Sequence, residues 1–200
     1  MILLLSTANN LYWLGRYMRR TQELPPRVIH CPQEERAELI KYLGWPLEQT
    51  DDARMRDYLD KTAMPALFEQ VNDNVQAVKG VIDGDAAELF NQMRRLHQAA
   101  SPRAACFQVY ACSAVMLKQN EYVTLFWQLG DYIEMLHNRI RLKQVESRHY
   151  RYLADVVTRL PVGTEWDHIK QEVQAMVYTV DSNQFYQWHN KLTQLFEDGV

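Results

Sequence analysis

At 200 residues, with 47% hydrophobic and 24% charged side chains, the chain is long enough to bury a core without disulfides or a structural metal, and its size fits one domain over residues 1–200. A net charge of −3 gives no electrostatic reason to expect a nucleic-acid partner. Cys31, Cys106 and Cys112 are odd in number and lack CxxC spacing, a pattern that argues against a disulfide framework or a zinc site and fits a reducing cytoplasm.

Seven glycines, seven prolines and no alternating strand pattern leave the helical period as the one that fits long stretches. The expected fold is all-α, a bundle of about eight helices. The apolar start, MILLL, is too short for a signal peptide or a membrane span and reads as an extended N-terminal arm. Ser6 then caps a first helix that should stop before Pro25-Pro26, where two missing donors and two ring clashes fall together. A second helix is bracketed by Pro32 and Gly44, and a third opens at Thr50. Leu67, Val71, Val75 and Val78 mark a fourth. After a turn at Asp83-Gly84, a fifth containing Leu89, Phe90, Met93 and Leu96 should pair with it in antiparallel fashion. Ser101-Pro102 restarts the chain as a sixth. From about Glu121 to Leu160 there is no proline and only one glycine, so one helix of about forty residues is expected. Pro161, Val162 and Gly163 end it. Thr164 with Asp167 reads as a capping box, and Asp181 or Ser182 starts the last helix.

Within this pattern one segment occurs twice. Leu11 to Arg20, LYWLGRYMRR, returns as Phe126 to Met135, FWQLGDYIEM. Aligned on Leu-Gly, the residues Leu14, Gly15 and Tyr17 match Leu129, Gly130 and Tyr132, while Arg16, Arg19 and Arg20 face Asp131, Glu134 and Met135. On a helical wheel Leu11, Leu14, Gly15 and Met18 share a face, as do Phe126, Leu129, Gly130 and Ile133. A glycine costs a helix roughly 1 kcal/mol relative to alanine, so its presence at one place in both copies implies close helix approach. The polar residues after each glycine would then meet across a pseudo-twofold axis.

The opening LLSTANNLYWLGRYMRRTQ resembles the signature of the alpha-E domain family, bacterial all-helical proteins in which a Glu-Arg pair follows a Leu-Gly-Arg-Tyr core. The resemblance continues through residues 64–93, where Phe90 and Asn91 match a family element, and resumes from Phe126 to Arg141. Family members are often about half as long again, so the chain resembles a shortened version. It also departs from the pattern. Arg20 keeps the family arginine, but Arg19 stands where the signature has Glu, and Asn9 and Gln22 stand where it often has Glu. Glu134 keeps the second Glu, and Met135 replaces its Arg. An arginine can neither ligate a metal nor accept a proton at neutral pH, which weakens an inherited catalytic role. The complementary change of sign instead suggests a contact of Arg19 or Arg20 with Glu134.

The resemblance implies relatives encoded beside ATP-grasp ligases and transglutaminase-like proteins. The corresponding expectation is a non-catalytic partner of an ATP-grasp-type ligase or transglutaminase-like protein in peptide synthesis or modification. Its candidate partner- or ligand-binding residues are Arg16, Tyr17, Arg19, Arg20, Asp131, Glu134, Arg139 and Arg141. No cofactor is implied.

Two other patterns bear on chemistry. Glu134 with His137, Glu146 with His149 and Glu165 with His168 have the i, i+3 spacing that di-iron carboxylate bundles use, giving a metal-dependent enzyme as an alternative. On a single helix the first two pairs would be about 18 Å apart, too far for one dinuclear centre. The segment from His137 to Arg151 is basic and could grip phosphate or a nucleotide, although a solvated helix face has the same composition. No nucleophile elbow, P-loop or dinucleotide fingerprint is present, and Cys106 and Cys112 read as inert core thiols.

Overall fold

A computed structural model of the chain describes residues 4–48, 51–98 and 102–197, and among these the secondary structure is entirely helical. Helix α1 (Leu5–Ile29) is followed by a 3₁₀ turn (Gln33–Glu35) leading into α2 (Arg36–Leu43). Next come α3 (Asp52–Tyr58), a π-helical turn (Leu59–Ala63) and α4 (Met64–Val78), which form one continuous rod. The remaining elements are α5 (Gly84–Gln98), α6 (Pro102–Met116), α7 (Glu121–Arg141), α8 (Ser147–Val157), α9 (Asp167–Thr179) and α10 (Ser182–Glu197). The all-α bundle read from the sequence is the architecture of the protein.

Helices α1 and α7, which carry the two copies of the repeat, form its centre and touch each other more extensively than any other pair. Leu11, Leu14 and Met18 from one and Leu129, Ile133 and Leu136 from the other are fully buried. Around them α1 also meets α3, α4, α6 and α10, while α7 meets α6 and α8. Helices α4 and α5 do touch, but the main partner of α4 is α1 and that of α5 is α6.

Several expected boundaries move. Pro25 and Pro26 lie inside α1, which continues to Ile29. Both rings have a helix-compatible φ, and the cost of the lost bonds is offset by tertiary anchoring: Val28 is buried, and Arg27 reaches Asn138 on α7 at 3.3 Å. The expected forty-residue helix is two. Gln144 donates from its backbone N to Arg139 O at 2.8 Å and Lys143 N to Ile140 O at 3.0 Å, with Lys143 at φ 55. That is a Schellman stop built on a lysine, so the glycine that normally announces it is absent. Ser6 is inside α1 rather than capping it, because the helix starts at Leu5 after an extended Leu4. Of the expected arm, Met1 to Leu3 lie outside the described residues, as do Thr50 and Ser101.

Pro32 sits before the 3₁₀ turn and not at a first helical position. Thr164 and Asp167 do not make a capping box. Asp167 instead accepts from Gly163 N at 2.6 Å, and the Thr164 hydroxyl donates to Pro161 O. Gly44 ends α2 in the left-handed region at φ 66, and Asp181 caps α10 by accepting from Asn183 N, both as expected. The π turn has a local cause. Pro65, one residue into α4, lacks the N–H that an α-helix would direct to Lys61 and pushes that carbonyl aside.

Candidate functional site: an arginine–carboxylate seam between α1 and α7

The two glycines set the distance between α1 and α7. A Cβ on Gly15 would lie 2.8 Å from Asp131 N and press directly into the Trp127 carbonyl. A Cβ on Gly130 would lie 2.7 Å from the Tyr12 carbonyl carbon and press into its oxygen. In the repeat alignment Tyr12 matches Trp127, so these are two copies of one contact. Neither glycine could be anything larger without moving backbone.

The charged residues follow the same reciprocity. Arg16 and Glu134 occupy the first and fourth positions after their respective glycines, and Arg16 Nε donates to Glu134 Oε2 at 2.9 Å. The mirror contact joins Asp131 to Arg19, which donates from Nε at 2.8 Å and from Nη2 at 2.5 Å. Arg20 Nε reaches the other oxygen of Glu134 at 2.6 Å. The contact expected between Glu134 and Arg19 or Arg20 is therefore made by Arg20. Arg19 goes to Asp131, and Arg16 joins Glu134, a pairing that a reciprocal reading of the repeat would have found. Burial pushes the Glu134 carboxyl up, but the guanidiniums of Arg20 and Arg16 outweigh it and hold it below its ordinary range. At Asp131 burial wins over Arg19, and the carboxyl is raised.

Arg16, Asp131 and Glu134 are buried, so they are not the exposed contact residues that a partner-binding role for them would require. Tyr17 is half-buried, its ring stacked on Trp13 and covered by the Arg20 guanidinium at 5.5 Å. Arg139 is exposed and donates to Gln144 Oε1 at 3.1 Å, reinforcing the end of α7. Arg141 lies at the rim of a cavity with its guanidinium 4.9 Å from the centre of the Tyr42 ring.

Further along the seam Asn138, which no sequence pattern singles out, ties three elements together. Its side-chain oxygen accepts from Tyr42 OH of α2 at 2.8 Å and from Arg27 Nη1 at 3.3 Å, and its nitrogen donates to Glu23 Oε2 at 2.6 Å. At the other end Tyr12 OH and His189 Nε2 hydrogen-bond at 2.7 Å, and Arg16 Nη1 donates to the same phenol oxygen at 3.2 Å. The His137 ring packs edge-on against that of His189 at 4.8 Å. Burial, followed by the Arg16 charge, pushes His137 down to about 2 and His189 down to about 4, so both imidazoles are neutral. Tyr12 is pushed up to about 12 by burial.

The three Glu-x-x-His pairs do unrelated work. Glu134 has both oxygens on arginines while His137 faces Phe185 and His189. Glu146 and His149 cap α8 reciprocally, with Glu146 N donating to His149 Nδ1 at 2.9 Å. Glu165 and His168 are 81% and 83% exposed and 3.9 Å apart. Among the described residues no group of three or more His, Cys, Asp or Glu side chains is arranged to hold a metal ion. In the basic segment Arg139, Arg141, Lys143, Arg148 and Arg151 are all exposed, with the first two on α7, Lys143 in the turn after it and the last two on α8. Burial pushes the thiols of Cys106 and Cys112 up to about 11 and about 12, well away from thiolate chemistry.

Fold and site together define a helical protein organised around a buried arginine–carboxylate seam between two like helices. Compared with known proteins, the chain matches no family model, no curated protein sequence and no solved structure. Among the described residues no helix is long and apolar enough to cross a membrane.

Proposed function

We propose that the chain is a non-catalytic helical partner of an ATP-grasp-type ligase or transglutaminase-like protein in peptide synthesis or modification, acting in the cytoplasm. The choice of partner rests on the resemblance of the Leu-Gly-x-Tyr segments to the alpha-E domain family. The non-catalytic character is supported by the seam itself: the carboxylates of the second copy that could have done acid–base or metal chemistry, Asp131 and Glu134, accept from the arginines of the first.

The observation that carries the reading is the outer face of α6. Its inner residues Ala105, Val109, Cys112 and Met116 are fully buried, as one apolar stripe of a surface helix should be. Its outer face should be polar. Instead Phe107 and Tyr110 on that face and Leu117 in the turn directly after the helix are 76%, 57% and 54% exposed. Large apolar and aromatic side chains presented together on and beside one helix are what a protein partner uses as anchors. The ligand-binding part therefore moves from Arg16, Asp131 and Glu134, which are interior, to α6.

The test is co-purification of the tagged chain with an ATP-grasp-type ligase from the same genome. Association is expected, with Phe107→Asp and Leu117→Asp each abolishing it while leaving the helical content unchanged. No association, together with ligase activity that is the same with and without this chain, would sink the reading.

A further inference from the structure

The seam opens at one end into a cavity of about 330 Å³, bounded by α1, α2, the π turn, α4 and α7. Its apolar lining includes Leu24, Leu43, Trp45 and Leu67, with the Trp45 ring braced by Tyr58 at 4.8 Å. Its charged lining is Arg20, Arg27 and Arg141 together with the carboxylates Glu23 and Glu134. The charges there do not balance. Along the seam and cavity five guanidiniums (Arg16, Arg19, Arg20, Arg27, Arg141) meet three carboxylates (Glu23, Asp131, Glu134), leaving two positive charges in a chain whose net charge is −3.

The excess is localised. Arg16, Arg19 and Arg20 make ion pairs of 2.5 to 2.9 Å. Arg27 approaches Glu23 only to 3.8 Å, and its hydrogen bonds run to neutral Asn138 at 3.3 Å and Tyr42 at 3.5 Å. Arg141 makes no ion pair among the described residues and rests on the face of Tyr42. Both guanidinium carbons lie within reach of that one ring, at 5.7 and 4.9 Å from its centre. A tyrosine pinned by Asn138 thus holds two under-used arginine forks at the mouth of a partly apolar cavity.

We propose that this cavity binds a small organic anion, a carboxylate or phosphate head held by Arg27 and Arg141 with an apolar or aromatic body against Leu24, Trp45 and Leu67. Planar guanidinium forks match the oxygens of either head group, and apolar walls with a few convergent polar groups are the usual build of a small-molecule site. No residue of α6 lines the cavity, although Arg27 also borders a neighbouring hollow edged by Tyr110, and the proposal stands whether or not the α6 face binds a ligase.

Isothermal titration of the intact chain with phenyl phosphate, benzoate, inorganic phosphate and benzyl alcohol tests it. The aromatic anions should bind in the millimolar range or tighter, and whichever of the two is tighter identifies the head group. Inorganic phosphate should bind more weakly for want of the apolar contact, and benzyl alcohol should give no binding. Arg141→Met should weaken the aromatic anion by about tenfold, the loss of one charged contact, and Arg27→Lys, which keeps the charge but loses the planar fork, should weaken it by a smaller factor. Arg141 is exposed, so its replacement leaves folding intact. Arg148→Met, an exposed arginine outside the cavity, should change nothing. Equal binding of benzyl alcohol, unchanged affinity in Arg141→Met, an equal loss in Arg148→Met, or no heat from either aromatic anion would each overturn the proposal.

Discussion

Arg16 and Glu134 meet at 2.9 Å with their side chains 7% and 6% exposed, in the interior of a bundle where neither could be solvated alone. Glu134 also holds Arg20, whose side chain is 36% exposed. This asymmetry between the two arginines of one carboxylate leads to the first prediction.

Glu134→Gln should destabilise the fold by about 3–5 kcal/mol, because it leaves the Arg16 charge buried without its counterion. Arg20→Met should cost far less, about 1 kcal/mol or below, since the pair it removes is partly solvated and Glu134 keeps Arg16. Urea unfolding of the two variants checks the ordering. Equal losses would mean that burial does not govern the seam.

Gly130→Ala and Gly15→Ala should each cost about 3 kcal/mol or more, at or beyond the upper end for overpacked sites, because the obstacle is backbone of the facing helix. Gly80→Ala, where nothing lies within 4 Å of the added carbon, should be close to neutral. Thermal unfolding of the three proteins separates the cases.

Pro26→Ala should stabilise the chain by about 1–2 kcal/mol, because it returns an N–H to a helix that already runs through this position. A loss of stability would mean that the proline shapes α1 at this point. Denaturant midpoints provide the measurement.

Stability should fall as the medium becomes acidic. His137 and His189 have folded values of about 2 and about 4, below their ordinary 6.5, so under acid conditions the unfolded chain takes up protons that the folded chain refuses. Their contribution is fully present above pH 6.5. It declines below that by up to about 1.4 kcal/mol per pH unit for each, until about 4 is reached for His189 and about 2 for His137. Unfolding free energies measured at pH 7 and pH 5 test this, and His137→Phe should flatten the profile. Identical values at the two pH would contradict neutral buried imidazoles.

How much of this is legible in the chain depends on the reach of each signal. The helical period, the end of α2 at Gly44 and the start of α10 at Asp181 are local, and the residues that set them stand beside them in sequence. The glycines of the repeat point to close helix approach because a helix penalty repeated at one place in two segments has to be offset by packing. Expectation and structure part where a local rule is overridden. The rule that proline ends a helix fails at Pro25-Pro26, where Val28 and Arg27 are anchored from outside α1. The rule that glycine marks a helix end fails at Lys143, whose left-handed backbone is held by hydrogen bonds to Arg139 and Ile140.

The functional residues divide in the same way. Composition, period and repeat are enough to establish an all-helical chain and to single out Gly15 and Gly130, since these are properties of segments a few turns long. Which arginine meets which carboxylate, why Asn138 matters, that Arg27 and Arg141 converge on Tyr42 and that α6 is apolar on both faces all depend on how distant segments pack. A side chain's charge is written in the sequence, but its partner, solvation and pKa are set by neighbours far away in the chain. The crossing of α1 over α7, with α2 and α10 packed at its two ends, brings those neighbours within hydrogen-bonding distance.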